Sequence, residues 1–354
     1  MKKHNFSAGP SILPKSVIKK SAEGILNIND SSLSLIEISH RSRDFVDIMN
    51  NATSLALELL DLQNKGYKAL FLQGGASMQF LMTAYNLLEN KAGYINTGAW
   101  STKALKEAKN FGDAIEVATS EEANFNYIPK NYTIDPDFDY LHITTNNTIF
   151  GTQFHQIPET STNLICDMSS DIFSRKIDFS KFSLIYAGAQ KNMGPAGTTL
   201  VVVKEDILGK VSRTIPSMLN YKTHIDKESM FNTPPVFAVY ASMLTLEWLK
   251  QNGGIQVIEH KNIEKANLLY NAIDKNDLFT GFAKKEDRSL MNVTFNLSNE
   301  EHKEHFDKLC NQANISGVNG HRSVGGYRAS IYNALELSSV QVLIEVMEEL
   351  KTKV

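Results

Sequence analysis

The sequence predicts an α/β protein built on a mainly parallel, doubly wound sheet. Three observations carry this expectation. Short apolar runs of strand length alternate with stretches of helical periodicity through residue 251. Several apolar runs end in glycine- or hydroxyl-rich loops, where such sheets place ligands. The chain has 354 residues, 42% hydrophobic and 21% charged, enough for one large core and a smaller second one.

The elements follow in order. Residues 1–15 read as an extended segment broken by Gly9-Pro10 and Pro14, and Pro14 suits the first turn of a helix carrying Val17, Ile18 and Ile25. Over 44–61, Phe45, Ile48, Met49, Ala52, Leu55, Ala56 and Leu59 recur at helical spacing. A strand at 69–72 leads through Gln73-Gly74-Gly75-Ala76-Ser77 into a helix with Phe80, Leu81, Ala84 and Leu87. That helix N-terminus offers unpaired amides to an anion, although the glycines equally suit a plain turn. Strands are expected at 92–96, 114–118, 140–144, 164–167, 182–186 and 198–203, with a helix from Ser101. A helix over 235–251, with Pro235 near its first position, stops at Asn252-Gly253-Gly254. The tail reads as helix 255–275, strand 289–296, helix 300–313, strand or turn 315–332 and helix 337–352. The expected division is an extended segment 1–15, a large domain 16–254 and a small α+β domain 255–354.

Bulk properties narrow the function. A formal net charge of -3 with no basic run gives no reason for nucleic acid or an anionic membrane as partner. No apolar run reaches membrane-spanning length, and the N-terminus lacks a signal-like apolar segment. Two cysteines, Cys166 and Cys310, suggest neither a disulfide framework nor a zinc site, so no metal and a reducing cytoplasm are expected.

One lysine stands out. Lys191 lies between an apolar strand ending at Tyr186 and the turn Gly194-Pro195-Ala196-Gly197, which leads into a second buried strand. A loop lysine reaching solvent fits this pattern; so does a buried, neutral amine, which is a nucleophile for carbonyl carbons. Asp167, at the end of the run 164–167, is by itself an ordinary strand-end cap. Together they match a pyridoxal phosphate site, where a lysine binds the aldehyde and a carboxylate keeps the ring nitrogen protonated. Trp100, in Thr97-Gly98-Ala99-Trp100-Ser101, suits either a core anchor before a capping serine or a surface for an aromatic cofactor. Trp248 sits in an apolar helical stripe and reads as core. Two basic clusters, Ser39-His40-Arg41-Ser42-Arg43 and Gly320-His321-Arg322-Ser323, suit a small, multiply anionic substrate or a solvated turn. Asn232-Thr233-Pro234-Pro235 reads locally as a capped helix start.

Taken together these segments resemble the phosphoserine aminotransferase family. The match is carried by 187–197, by Met230-Phe231-Asn232-Thr233-Pro234-Pro235, by Gly320-His321-Arg322, by 326–334, by 5–10 and by Ser39-His40-Arg41-Ser42, and it extends over essentially the whole chain. The resemblance implies a class-V, fold-type I pyridoxal phosphate enzyme acting as a homodimer with shared sites. It implies amino transfer from L-glutamate to 3-phosphohydroxypyruvate, giving O-phospho-L-serine and 2-oxoglutarate; a second use on the keto precursor of 4-phosphohydroxy-L-threonine is left open. Lys191 would be the covalent attachment point and Asp167 the partner of the ring nitrogen. Trp100 would stack on the ring and Thr148 would contact its hydroxyl region. Ala76, Ser77 and Gln190 would hold the cofactor phosphate with Asn232 and Thr233 of a second copy. Arg328 would take the substrate α-carboxylate, and Arg41, His321 and Arg322 the distal phosphate or carboxylate. Ser77 stands where some members carry an arginine, so the make-up of the phosphate pocket differs from theirs. Alternatives are another fold-type I aminotransferase, a cysteine desulfurase, which needs a reactive cysteine, or a catalytically silent binding protein.

Overall fold

The computed structural model describes residues 2–354. Its centre is a seven-stranded sheet in the order Tyr67–Leu72, Thr199–Lys204, Leu184–Gly188, Leu164–Asp167, Tyr140–Thr144, Lys91–Asn96 and Asp113–Thr119. Only Thr199–Lys204 runs against its neighbours; the remaining pairs are parallel. The strands are apolar on both faces because both faces are covered. Leu200 and Val202 enter the core beneath the helices Arg43–Leu59 and Val236–Gln251, while Val201 and Val203 enter the one beneath Gly75–Leu87 and Ala99–Ala108. Each such fully buried side chain is worth about 2 kcal/mol. Asp113–Thr119, at the sheet edge, is largely open to solvent, the apolar Ile115 included.

The register fixes where the chemistry sits. Thr144 pairs with Asp167, Asp167 with Tyr186, and Thr199 with both Gly188 and Leu72. The loops after Leu72, Asn96, Thr144, Asp167 and Gly188 therefore leave the sheet along one edge.

A second core surrounds the antiparallel strands Phe279–Gly281, Asn292–Leu297 and Tyr327–Ser330, with Phe295, Phe306 and Leu343 inside it. The helix Gly254–Lys275 serves both cores: Ile255 and Ile258 face the first, Ala266, Leu269 and Ile273 the second. The N-terminal strand His4–Asn5 pairs in parallel with Ile315–Ser316, so the extended start of the chain is stitched to its far end.

Several expectations shift. Pro14 and Pro235 lie just outside their helices, which begin at Lys15 and Val236; ψ angles of 135° and 81° keep both prolines non-helical. Ser101 is not the cap of its helix. The helix starts at Ala99, and the amides of Thr97 and Gly98 donate back to Ser101 Oγ at 2.9 and 3.0 Å. Trp248 is half-buried rather than fully in the core.

Candidate active site

The strand-end loops assemble a crevice around Lys191. The lysine is 9% exposed, and its Nζ donates to Thr148 Oγ1 at 2.6 Å. Burial lowers its proton affinity to about 8; Asp167 opposes that shift and the charge of Arg328 adds to it. The main chain is tied down as well. Ser11 Oγ donates to the Lys191 carbonyl, and the Ser11 amide to that of Gln190 at 2.9 Å.

Asp167 is 4% exposed, and Oδ1 accepts the Ser169 amide at 2.9 Å. Burial raises its carboxyl above the ordinary range, while that amide and Lys191 hold it down. A buried acid of this kind gains most from a cationic partner brought by a ligand.

Arg328, on Tyr327–Ser330, reaches across from the second core. Its Nη1 donates to the Thr148 carbonyl at 3.2 Å, and its Nε is buried without a partner. Thr148 thus meets Lys191 with its hydroxyl and Arg328 with its carbonyl. The Trp100 turn is joined to the same loop, since Asn147 Nδ2 donates to Thr97 Oγ1 at 3.1 Å. Trp100 Nε1 is also buried without a partner, and Lys103, one turn further, sits 4.5 Å from its ring centroid.

The outer positions differ in kind. Ala76 and Ser77 occupy the first turn of the helix Gly75–Leu87, entered through Gly74 at φ 94°, a left-handed conformation that favours glycine. Ser77 is exposed; Ala76 and Gln190 are half-buried. Asn232 and Thr233 do not cap the following helix. Asn232 Nδ2 donates to Gln73 Oε1 at 3.2 Å, and Gln73 Nε2 to the Thr233 carbonyl at 2.8 Å, so this exposed turn leans on the glycine loop. His321 and Arg322 lie on the loop between Ile315–Ser316 and Tyr327–Ser330, with His321 Nδ1 2.6 Å from Ser323 Oγ. A side chain at Gly320 would meet the Gly325 carbonyl at 1.8 Å, so only glycine fits there. Burial lowers the proton affinity of His321, and the charges of Arg328, Arg322 and Lys103 lower it further. Arg41 is exposed on the turn before Arg43–Leu59 and, among the described residues, pairs with none of these groups.

The structure thus brings together Lys191, Thr148, Asp167 and Arg328, sets Trp100 and the His321 loop beside them, and leaves Arg41, Asn232 and Thr233 outward. Ser11 was not legible in the sequence, because its contact with Lys191 spans 180 positions of the chain; Lys103, although only three residues from Trp100, is one lysine among many until the ring contact is seen. Neither cysteine is poised as a nucleophile. Burial raises Cys166 well above its ordinary range and pushes Cys310 up to about 12, the reverse of what a nucleophilic thiol needs. Among the described residues no group of three or more His, Cys, Asp or Glu is placed to hold a metal ion, and no helix is long and apolar enough to cross a membrane.

The donor set fits pyridoxal phosphate: a buried amine of lowered basicity, a buried acid, a half-buried indole, a helix N-terminus for a phosphate, and an arginine with an unpaired Nε. A family model for class-V aminotransferases matches residues 3–343, and the chain belongs to that family. Within it, the chain groups with the phosphoserine aminotransferases. The enzyme of that name from Flavobacterium psychrophilum is 64% identical over 356 residues, covering 100% of both chains. That of Bacteroides thetaiotaomicron is 56% identical over 99% of each. Among solved structures, the phosphoserine aminotransferase of Bacillus circulans subsp. alkalophilus has a TM-score of 0.96 at 42% identity over 99% of each chain. The PLP-bound enzyme of Trichomonas vaginalis has a TM-score of 0.93 at 33% identity, over 98% of this chain and 100% of its own.

Proposed function

We propose that the chain catalyses pyridoxal phosphate-dependent amino transfer from L-glutamate to 3-phosphohydroxypyruvate, yielding O-phospho-L-serine and 2-oxoglutarate for serine biosynthesis. The observation that carries this reading is Lys191, buried beside Asp167 and Arg328 with its proton affinity lowered to about 8, in a chain 64% identical to an enzyme of that name.

When bound, pyridoxal phosphate supplies the electron sink for breaking the substrate Cα–H bond. Lys191 would be its attachment point, and the free Lys191 amine, its basicity lowered by burial, would take and return the proton at the substrate Cα. Thr148 aims the amine through its hydroxyl. Asp167 would pair with the ring nitrogen and Trp100 would face the ring, while Ala76, Ser77 and Gln190 would hold the cofactor phosphate. Arg328 grips the α-carboxylate with its planar fork. Arg41, His321 and Arg322 take the distal anion, a carboxylate in one half-reaction and a phosphate in the other.

The assembly is a homodimer in which Asn232 and Thr233 complete the phosphate site of a second copy. Support comes from the apolar surface around that turn. Met78, Met218 and Phe231 are 36%, 47% and 41% exposed, and Met78 and Met218 line a cavity of about 330 Å³ with Asn232 and Thr233. The division into domains 16–254 and 255–354 is supported by the separate core around Phe295, Phe306 and Leu343, although Ile255 and Ile258 pack with the large domain. The compartment is the cytoplasm, in keeping with two free, buried cysteines.

Steady-state rates with both substrates varied test the reading. Parallel double-reciprocal lines with 3-phosphohydroxypyruvate support it. Turnover with pyruvate or glyoxylate but not with the phosphorylated acid would point to another aminotransferase.

A further inference from the structure

Lys265 is a buried lysine with no place in the chemistry above. It lies in the helix Gly254–Lys275, is 2% exposed, and belongs to the largest fully buried side chains. Its Nζ donates to the carbonyls of Ile331 and Tyr332 at 2.8 and 2.7 Å. Burial brings its proton affinity down to about 7, and the nearby charge that acts on it is Lys261, not a carboxylate. A long cationic side chain buried without an acid is costly, so what it holds deserves a reason.

It holds a joint. Residues 331–333 continue the strand that carries Arg328. The Asn333 amide donates to Asn192 Oδ1 at 3.0 Å, and Asn192 adjoins Lys191. Asn333 Nδ2 donates to the Phe173 carbonyl at 3.0 Å. The Ile331 amide donates to the Met291 carbonyl at 2.8 Å, and Tyr332 OH to that of Ala8 at 2.8 Å. Asn262, three residues before Lys265 on the same helix face, donates to Asn333 Oδ1 at 2.8 Å. One face of one helix therefore grips the link between the arginine and the lysine from behind.

We propose that Lys265 is a positioning residue that sets the spacing between Arg328 and Lys191, and with it the grip on the substrate α-carboxylate. The two carbonyls are fixed by a single nitrogen donating to both at the end of a buried stem, which prevents the joint from sliding along the helix. This rests on the reading that Arg328 binds that carboxylate. Both amino donors of the reaction carry one, so Lys265 governs them alike.

The test compares Lys265→Met with the wild type as cofactor-loaded enzymes. Methionine keeps the apolar stem and removes the donor. The expected result is a rise of about tenfold in KM for L-glutamate and for O-phospho-L-serine together, with kcat within about threefold. Amide exchange across 328–333 is expected to speed up, while that of 164–167 stays unchanged. An unchanged KM for both donors overturns the proposal, even if the melting temperature falls or exchange rises, because a purely structural lysine would give that pattern. If the methionine variant does not fold, Lys265→Leu, which also removes the donor, is read by the same two measurements. Wild-type turnover tests the functional reading separately; only the ratio of variant to wild type tests Lys265.

Discussion

The inner and outer halves of the crevice are built on opposite physical terms. Lys191, Asp167 and Thr148 are buried, each at the end of a sheet strand or in the loop that follows one, and each has a hydrogen-bond partner fixed by the fold. His321, Arg322 and Arg41 lie on turns, partly or fully exposed, and the side-chain partner of His321 is its loop neighbour Ser323. The inner half is preorganised for one chemistry. On the function proposed above, the outer half accepts a carboxylate and a phosphate in turn and takes its contacts from the ligand and a second copy.

This contrast orders the expected effects of substitution. Removing the inner groups strikes kcat; removing the outer ones strikes KM selectively. Lys191→Ala should lower kcat by at least about 10⁴-fold, since Lys191 is the amine that Thr148 holds in the crevice, while the protein still binds cofactor. Measurable turnover at a tenth of the wild-type rate would break the distinction. Asp167→Asn keeps the shape and loses the charge, and should cost about 10²–10³-fold in kcat, read by single-turnover kinetics. Arg328→Lys keeps the charge and loses the fork, and should raise KM for both amino donors by about tenfold or more. Arg322→Ala should raise KM for O-phospho-L-serine several-fold, about 5, with a smaller change for L-glutamate. Equal effects on the two would place Arg322 outside the distal pocket.

The smallest expected effect concerns stability. In the cofactor-free protein, Lys191 and Lys265 have proton affinities of about 8 and about 7, below the value of about 10.4 for an unfolded lysine. Between these limits the unfolded chain binds more protons than the folded one, so stability rises with pH from about 7 to about 10. Denaturant midpoints across that window should increase, and Lys265→Met should flatten the rise. A slope of the opposite sign would mean that both lysines stay charged when folded.

The two halves were unequally legible in the sequence. The sheet, its order of elements and the Asp167 and Lys191 pair were readable because apolar strands with polar ends are a local pattern. The strand 140–144 has the expected bounds, and the helix at 44–61 is shifted by one residue at its start and two at its end. The short strands Phe279–Gly281 and His4–Asn5 were not readable, because three or two residues carry no periodicity and their partners lie far along the chain. Ser101 and Pro235 were misread by position, since capping depends on which way a side chain folds back. Lys265 was invisible for a different reason. In sequence it is one more lysine on a helix with Lys261 and Lys275, and only tertiary packing reveals that it points inward. The roles of Asn232 and Thr233 came from resemblance, not from local pattern, because a residue serving another copy has no signal in its own neighbourhood.

The measurement closest to the central claim is the absorbance spectrum of the cofactor-loaded protein before and after O-phospho-L-serine. The expected result is a visible cofactor band that converts to a shorter-wavelength form on addition, and that returns when 2-oxoglutarate is supplied. A band that ignores O-phospho-L-serine but responds to another amino acid, or no band after incubation with pyridoxal phosphate, would contradict it.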